Sequence, residues 1–191
     1  MNYDIVICGI GGQGVMLISR VIAEAALKEG EKVMVMEDRG HAKRFGSISC
    51  HIRLGDAYSP TIPEGSADLL VGLDPTEAVR NLHYLKKGST AIIDSTSASI
   101  DGIAEFTIYQ AAPLVNDKNV RFYTVDTTGI SNTIGSQLVR NMAMLGAITA
   151  VECFPLGKNI VKRSMKTLVP KKIKENEKAF ELSHKQIKNA R

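Results

Sequence analysis

The sequence predicts an α/β fold in which a mainly parallel sheet carries helices on both faces and the chain ends in further helices. Two observations lead to this prediction. Short runs rich in β-branched residues alternate with longer segments whose apolar residues recur at helical spacing. The first of these runs, residues 4–8, lacks the polar alternation of a half-solvated strand and leads directly into a glycine-rich turn.

The turn after the first strand contains Gly9, Gly11 and Gly14, the G-x-G-x-x-G spacing that opens a Rossmann-like fold when it lies between a strand and a helix. Glycine adopts the backbone angles of a tight turn at little cost, and its missing Cβ lets another group approach the main chain. The helix predicted over about residues 12–28 directs free N–H groups and its positive dipole end towards this space, which suits an anion or a carbonyl. Alternatively, the glycines only permit close packing of strand, turn and helix.

The second strand, residues 32–36, is closed by Glu37 and Asp38, where a dinucleotide-binding fold places the acidic residue that contacts the ribose. Taken alone, this opening indicates an NAD-binding turn. The doubled Gly11-Gly12 and the amide side chain of Gln13 fit that interpretation less well.

A polar, basic loop over residues 38–46 follows the second strand. Its side chains that suit anions are Arg39, His41, Lys43 and Arg44. They could hold a phosphate or a carboxylate, and a solvated basic loop explains them equally well. Glu37 and His41 are conceivable as a general acid and base, but Glu37 is better explained as a cap on main-chain N–H groups of the loop.

The next three elements also follow from local patterns. Residues 47–54 alternate as in a half-buried strand, so His51, on the polar side, is expected to be solvated or locally paired rather than a metal ligand. Residues 68–73 form a buried strand, and Asp74 opens the next helix as its N-cap.

Two more parallel strands, residues 90–94 and 120–125, precede the C-terminal helices. Apolar spacing predicts one long helix over about residues 132–154, then two further helices that each follow a proline. In the last helix one apolar residue recurs at every seventh position: Ile173, Phe180 and Ile187. That stripe is thin for core burial and favours weak packing, or packing against another chain.

Ligands of such sheets bind beyond the carboxyl ends of the strands. Those ends bring together the turn of residues 9–14, the loop of residues 38–46, the Asp74 cap and the turn of residues 94–96. We therefore expect the functional site at this rim.

The length of 191 residues predicts one domain over residues 1–191. The composition, with 44% hydrophobic and 23% charged residues, is ordinary for a folded globular protein. No apolar run approaches a membrane span, and the N-terminus lacks the regions of a signal peptide. The scattered cysteines, Cys8, Cys50 and Cys153, favour reduced thiols in a cytoplasmic protein. They cannot ligate a four-cysteine iron–sulfur cluster within one chain.

The net charge of +4 is uneven, because residues 157–191 contain eleven Lys or Arg and three Asp or Glu. A basic tail can bind nucleic acid, but this one has only Phe180 as an aromatic and no groove-reading motif, which favours a solvated helix face or a docking surface.

The sequence contains neither a G-x-S-x-G elbow nor an H-E-x-x-H motif. The residues alone thus indicate a binding or docking domain, with no catalytic residue and no metal ligand.

Several motifs resemble a known family. Residues 9–15 are similar to the G-x-G-G-Q-G-V opening of the gamma domain or subunit of 2-oxoacid (pyruvate/ketoisovalerate):ferredoxin oxidoreductases, which accounts for the doubled glycine and for Gln13. Residues 37–47 and 51–53 look most like the beta subunit of indolepyruvate ferredoxin oxidoreductases, with Phe45 in place of a family glycine. Segments around residues 67–88, 141–147 and 170–180 are similar too, so the resemblance covers nearly the whole chain.

The resemblance implies one subunit of a complex that oxidatively decarboxylates aryl 2-oxoacids to acyl-CoA and passes the electrons to ferredoxin. It implies that this chain alone binds no cofactor. Thiamine diphosphate and the 4Fe-4S clusters would belong to a larger alpha subunit, with coenzyme A as co-substrate. Neither nucleic acid nor a membrane is expected as a partner.

The implied site is a docking surface or a wall beside substrate and cofactor: Gly9, Gly11, Gly12, Gln13, Gly14, Glu37, Arg39, His41, Lys43 and Arg44. The phosphates of coenzyme A suit the arginines and lysine of this set. A stand-alone NAD(P)-binding enzyme or sensor domain is the alternative function, and a basic nucleic-acid-binding module is a more distant one.

Overall fold

The structure is a computed structural model that describes residues 2–40, 46–96, 113 and 118–189. Within them it contains six strands: β1 Tyr3–Ile10, β2 Val33–Arg39, β3 Ser47–Leu54, β4 Ala67–Gly72, β5 Leu85–Asp94 and β6 Arg121–Val125. The α-helices of the same residues are α1 Val15–Lys28, α2 Pro75–Asn81, α3 Thr127–Ile134, α4 Arg140–Ile148, α5 Lys158–Leu168 and α6 Ile173–Asn189. Short 3-10 helices over Leu82–Tyr84 and Gln137–Val139 precede β5 and α4.

The strands form one sheet in the order β2-β3-β1-β4-β5-β6. The pairs β1–β4, β4–β5 and β5–β6 are parallel, whereas β3 pairs antiparallel with both β1 and β2. β2 therefore has the direction of β1 but is separated from it by β3. The mainly parallel sheet that the sequence predicts is confirmed.

Helices cover both faces of the sheet, which is also as predicted. The larger core packs one face against α1, α4, α5 and α6, and the smaller core packs the other face against α2. Alternate residues of β1 enter different cores, with Ile5 and Ile7 in the larger and Val6 and Cys8 in the smaller. Both sets must be apolar, which explains why this strand shows no polar alternation in the sequence.

The long helix predicted over residues 132–154 is wrong, because the chain breaks at Gly135. α3 begins earlier, where the Asp126 carboxylate accepts a hydrogen bond from the Gly129 N–H at 2.7 Å. It ends at Gly135, whose φ of 77° is the left-handed conformation that glycine adopts cheaply. Ser136 is then extended, and the chain re-enters a helix so that α4 begins at Arg140.

The last helix, α6, packs more tightly than its thin apolar stripe predicts. Phe180 and Ile187 are buried, and a Cβ on Gly146 of α4 would lie 2.1 Å from the Phe180 carbonyl oxygen. The small residues Gly146 and Ala179, rather than additional large side chains, allow this close crossing. No helix of the described residues, α6 included, is both long and apolar enough to cross a membrane.

The basic charge of the tail is partly neutralised within the chain. Lys162 of α5 lies 3.3 Å from a Glu177 carboxylate oxygen and 2.9 Å from one of Glu181 on α6. Lys158 contacts Glu181 as well, and Lys166 contacts Glu177. These ion pairs join α5 to α6, and they use charges that the sequence assigned to a solvated or docking face.

His51 is buried and locally paired rather than solvated. Its Nδ1 accepts a hydrogen bond from the Ile62 N–H at 3.0 Å, and its ring packs edge-on against Tyr84 with centroids 4.9 Å apart. Burial lowers the pKa of His51, because the charged imidazolium is poorly solvated there. A proton on Nδ1 would also remove the acceptor for Ile62.

We predict that His51 makes stability depend on pH. The unfolded chain takes up this proton as the pH falls through about 6.5, whereas the folded chain holds the neutral ring to lower pH, so the stabilisation present above that pH is lost below it. Urea unfolding at pH 7.5 and 5.5 should therefore show a smaller loss of stability in His51→Gln than in the wild type.

One proton changes the free energy of unfolding by at most about 1.4 kcal/mol per pH unit. This slope limits how far the loss of stability can differ between His51→Gln and the wild type. Equal pH dependence in His51→Gln and the wild type would contradict this role of His51.

Candidate functional site

A cleft of about 280 Å³ lies beyond the carboxyl ends of β1, β4 and β5, at the rim where the sequence places the site. Its lining residues come from the glycine turn, from the ends of β4 and β5, from the start of α3 and from the segment around the start of α4: Gly12, Gln13, Leu73, Asp94, Thr127, Gln137, Leu138, Arg140 and Asn141. The cleft is therefore built from parts of the chain that are far apart in sequence.

The glycine turn is held by its own polar groups. The Gln13 side-chain oxygen accepts a hydrogen bond from the Ile10 N–H at 2.7 Å, and the Gln13 N–H donates to the Ile10 carbonyl at 3.0 Å. The Gly11 N–H donates to the Gly46 carbonyl at 2.9 Å, which ties the turn to the start of β3. Gln13 thus fixes the end of β1, a role that an NAD-binding turn does not require.

The glycines of the turn have two different roles. A Cβ on Gly9 would lie 2.8 Å from the Gln13 side-chain oxygen, and one on Gly14 would lie 2.1 Å from Nδ2 of Asn141. Gly12, with a φ of 102°, has nothing within 4 Å of its Cβ position and lines the cleft. Gly9 and Gly14 therefore serve close packing, whereas Gly12 is the position where a ligand or partner can approach the backbone.

The contact between Gly14 and Asn141 joins the turn to α4. Gly14 is the N-cap of α1 and has a φ of 93°, and no side chain caps this helix. The predicted helix start near residue 12 is thus three residues early, because residues 11–14 form the turn itself. In a dinucleotide-binding fold the pyrophosphate lies beside this turn. Here the Asn141 side chain covers one side of the turn.

Three polar side chains form a fixed cluster on the opposite wall. Asp94 is buried at the end of β5 and accepts hydrogen bonds from the Thr127 hydroxyl and, at 3.0 Å, from an Arg140 Nη. The Arg140 Nε donates to the Thr127 hydroxyl at 2.9 Å. About a third of the Arg140 side chain is exposed, so its remaining N–H donors are available to an anion in the cleft.

A second cleft, of about 230 Å³, lies on the other side of Gly12. It is lined by Ile10, Gly12, Gly14, Val15, Met16, Arg39 and Ile48. Arg39 belongs to β2, which extends two residues beyond the predicted end at Glu37. Its guanidinium lies 2.5 Å from a Glu37 carboxylate oxygen, so Glu37 pairs with a side chain, whereas the sequence predicted a cap on loop N–H groups.

The structure thus brings most of the predicted site residues together. Gly9, Gly11, Gly12, Gln13 and Gly14 form the turn, and Arg39 with Glu37 lies beside it. The predicted residues His41, Lys43 and Arg44 lie outside the described residues.

The sequence did not identify Thr127, Arg140 or the contact of Asn141 with the turn. Arg140 and Asn141 reach the rim because the chain breaks at Gly135 and re-enters a helix at Arg140, whereas Thr127 lies at the start of α3, directly after β6. The sequence does contain a signal for this break, the Gly135-Ser136 pair inside an otherwise helical pattern.

The cysteines of the rim and sheet offer no activated nucleophile. Cys8 and Cys50 are buried, and burial raises the pKa of both thiols. In the described part of the chain, no group of three or more His, Cys, Asp or Glu side chains is arranged to hold a metal ion.

The strand order also fits NAD poorly. In the dinucleotide-binding fold the second strand neighbours the first, which puts its terminal carboxylate within reach of the ribose. Here β3 lies between β1 and β2, so Glu37 and Asp38 are displaced from β1 by two strand spacings, about 10 Å in all.

Comparisons with known proteins agree with these features. The sequence pattern of the family described as pyruvate ferredoxin/flavodoxin oxidoreductase matches residues 4–186. The indolepyruvate oxidoreductase subunit IorB of Pyrococcus horikoshii is 35% identical over 196 aligned positions, covering 98% of this chain and 96% of the relative.

Solved structures share the fold. The gamma subunit of a keto/oxoacid ferredoxin oxidoreductase from Geobacter sulfurreducens superposes with a TM-score of 0.72 at 23% identity, covering 97% of this chain and 98% of that one. A 2-oxoglutarate:ferredoxin oxidoreductase from Magnetococcus marinus, with 2-oxoglutarate, coenzyme A and succinyl-CoA bound, gives a TM-score of 0.76 at 18% identity. This chain aligns in full with 31% of that longer polypeptide.

We predict that the Gly14–Asn141 contact is a major constraint on stability. Gly14→Ala should cost about 1–2 kcal/mol for the left-handed backbone and roughly 1–3 kcal/mol more for the overlap with Asn141. Gly30→Ala is the matched control, because Gly30 has a φ of 78° but nothing within 4 Å of its Cβ position. Urea unfolding of both variants separates the backbone cost from the overlap.

Gly14→Ala made in an Asn141→Ala background completes the test. Removing the amide should abolish most of the excess cost of Gly14→Ala over Gly30→Ala. Equal costs for the two glycine substitutions in the wild-type background would contradict a close contact at Gly14.

Proposed function

Because the chain belongs to the pyruvate ferredoxin/flavodoxin oxidoreductase family, we propose that it is a subunit of an enzyme complex, a 2-oxoacid:ferredoxin oxidoreductase. The supporting observation is that sequence similarity to a named subunit extends over nearly the full length of both chains. The whole chain then corresponds to one gamma-type domain of such a complex.

The proposed substrate is an aryl 2-oxoacid of the indolepyruvate type. The support is the 35% identity with an indolepyruvate oxidoreductase subunit. In the proposed reaction the 2-oxoacid loses carbon dioxide, its acyl group is transferred to the thiol of coenzyme A, and the electrons released pass to ferredoxin.

The proposed redox and thiamine chemistry belongs to a larger alpha subunit. With three cysteines, this chain has too few to supply a four-cysteine cluster on its own, and Cys8 and Cys50 are buried on opposite faces of the sheet. We therefore assign thiamine diphosphate and the 4Fe-4S clusters to that partner.

The proposed role of this chain is to form a wall of the active site or the surface on which the partner docks. Gly12 separates the two clefts and has open space beside its Cα. Arg140 is fixed on one side of it and Arg39 lies on the other. An anionic group, such as a phosphate of coenzyme A, is suited to this basic rim together with Lys43 and Arg44.

We predict that Arg39 contributes to the use of coenzyme A. In the complex formed with its alpha subunit, Arg39→Gln should raise the KM for coenzyme A about fivefold to tenfold, the loss expected for one charge-assisted phosphate contact. The KM for indolepyruvate and kcat should change little. Steady-state reduction of ferredoxin at varied coenzyme A measures the effect.

Arg20→Gln is the matched control, because Arg20 is exposed on α1 and does not line either cleft. Arg44→Glu should act in the same direction as Arg39→Gln while the complex stays assembled. An unchanged KM for coenzyme A in both Arg39→Gln and Arg44→Glu would refute the phosphate role. A wild-type complex with no 2-oxoacid-dependent reduction of ferredoxin would refute the function itself.

A further inference from the structure

The outer strand of the sheet, β2, has one hydrogen-bonded neighbour among the described residues. It pairs with β3 in a continuous register from Val33–Leu54 to Arg39–Ile48, without a bulge. At its two ends the Lys32 carbonyl accepts from the Gly55 N–H at 2.8 Å, and the Gly40 N–H donates to the Ser47 carbonyl at 3.2 Å.

The backbone groups of alternate residues of β2 therefore point away from β3. Successive residues of a strand direct their N–H and C=O groups to opposite sides, and residues 32 and 40 direct theirs to β3. The odd-numbered residues of β2, which include Val33, Val35 and Glu37, thus direct theirs outwards.

This edge lacks the usual protection in its centre. Native proteins shield edge strands with prolines, bulges or charges, but the middle of β2 is apolar. Met34 is 38% exposed and Val35 is 41% exposed. Charged residues lie only towards the two ends, with Lys32 before the strand and Asp38 near its end.

We propose that a second copy of this chain pairs with β2 in antiparallel fashion, about a two-fold axis at Val35. In that register Val35 faces Val35 of the second copy, Met34 faces Met36, and Lys32 faces Asp38. The two-fold axis repeats each of the last two pairs. The interface thus has an apolar centre between two ion pairs, which is the self-complementary pattern that a two-fold interface requires.

The hydrogen-bonding pattern is consistent with this register. Val35 directs its N–H and C=O outwards, so the two Val35 residues exchange both bonds across the axis. Val33 and Glu37, which also face outwards, bond to each other in the same way. The two sheets then form one continuous sheet.

Charge selects this register over its neighbours. Centring the axis on Met34 would place Glu31 opposite Glu37, and centring it on Glu37 would place two glutamates directly opposite each other. Centring it on Met36 leaves Lys32 opposite Gly40, with no ion pair. In the Val35 register, by contrast, Lys32 faces Asp38 and the preceding residue Glu31 faces Arg39.

The side chains needed are accessible. Lys32 contacts Asp56 at 2.5 Å within the chain, but both side chains are largely exposed, so this pair contributes little to stability and is readily exchanged. Asp38 is also exposed.

A charge swap tests the proposal on the purified full chain. Sedimentation velocity over a concentration series should show a monomer–dimer equilibrium for the wild type. Lys32→Asp and Asp38→Lys, each of which puts like charges opposite one another twice, should raise the dimer dissociation constant about tenfold or more. The double variant Lys32→Asp/Asp38→Lys should restore it to near the wild-type value.

Lys174→Asp is the matched control, because it makes the same charge change on an exposed residue of α6. It should leave the dissociation constant close to that of the wild type. Circular dichroism checks that every variant is folded.

A cross-link gives an independent measurement of the register. Two residues that form a hydrogen-bonded antiparallel pair, as Val35 and its copy would, have Cα atoms about 5.5 Å apart, within the Cα–Cα range of a disulfide. Val35→Cys should form a covalent dimer when diamide takes up the two thiol hydrogens, whereas Val33→Cys, which faces Glu37, should not. A monomer at all concentrations, a charge swap that does not restore the dimer, or equal cross-linking of the two cysteine variants would each overturn the proposal.

Discussion

The rim of the sheet depends on the contact between the Asn141 side chain and the bare Cα of Gly14. Because Gly14 has no Cβ, α4 can lie directly on the glycine turn. The preceding residue, Arg140, then reaches Asp94 at the end of β5, and the wall of the larger cleft is complete. The absence of a methyl group at Gly14 thus allows the turn that precedes α1 to contact α4 directly.

The insertion of β3 between β1 and β2 changes what the glycine turn can do. A strand, a G-x-G-x-x-G turn and an acidic second strand are all present, yet the carboxylates of Glu37 and Asp38 end one strand further out than a ribose contact requires. Gln13 meanwhile uses its amide oxygen to hold the end of β1. The same local pattern therefore serves packing here, and the fold leaves Gly12 as its open position.

Local patterns were sufficient to locate the strands and the Asp74 cap, because each depends on residues close in sequence, although β2 and β5 extend beyond their predicted bounds. The position of the rim followed from the parallel arrangement of those strands. The break at Gly135, the Asp94–Thr127–Arg140 cluster and the tight burial of α6 were not predictable in this way. Each depends on contacts between distant segments, such as Gly146 against the Phe180 carbonyl. The assignments of His41, Lys43 and Arg44 stay predictions.

Purification of the tagged chain from its native cells under mild conditions tests the central claim most directly. The claim is that this chain works as one subunit of an iron–sulfur, thiamine-dependent complex. It predicts a brown preparation in which a larger protein co-purifies, with an iron–sulfur absorbance spectrum and bound thiamine diphosphate. A colourless chain that purifies alone and binds NAD with saturation would contradict it.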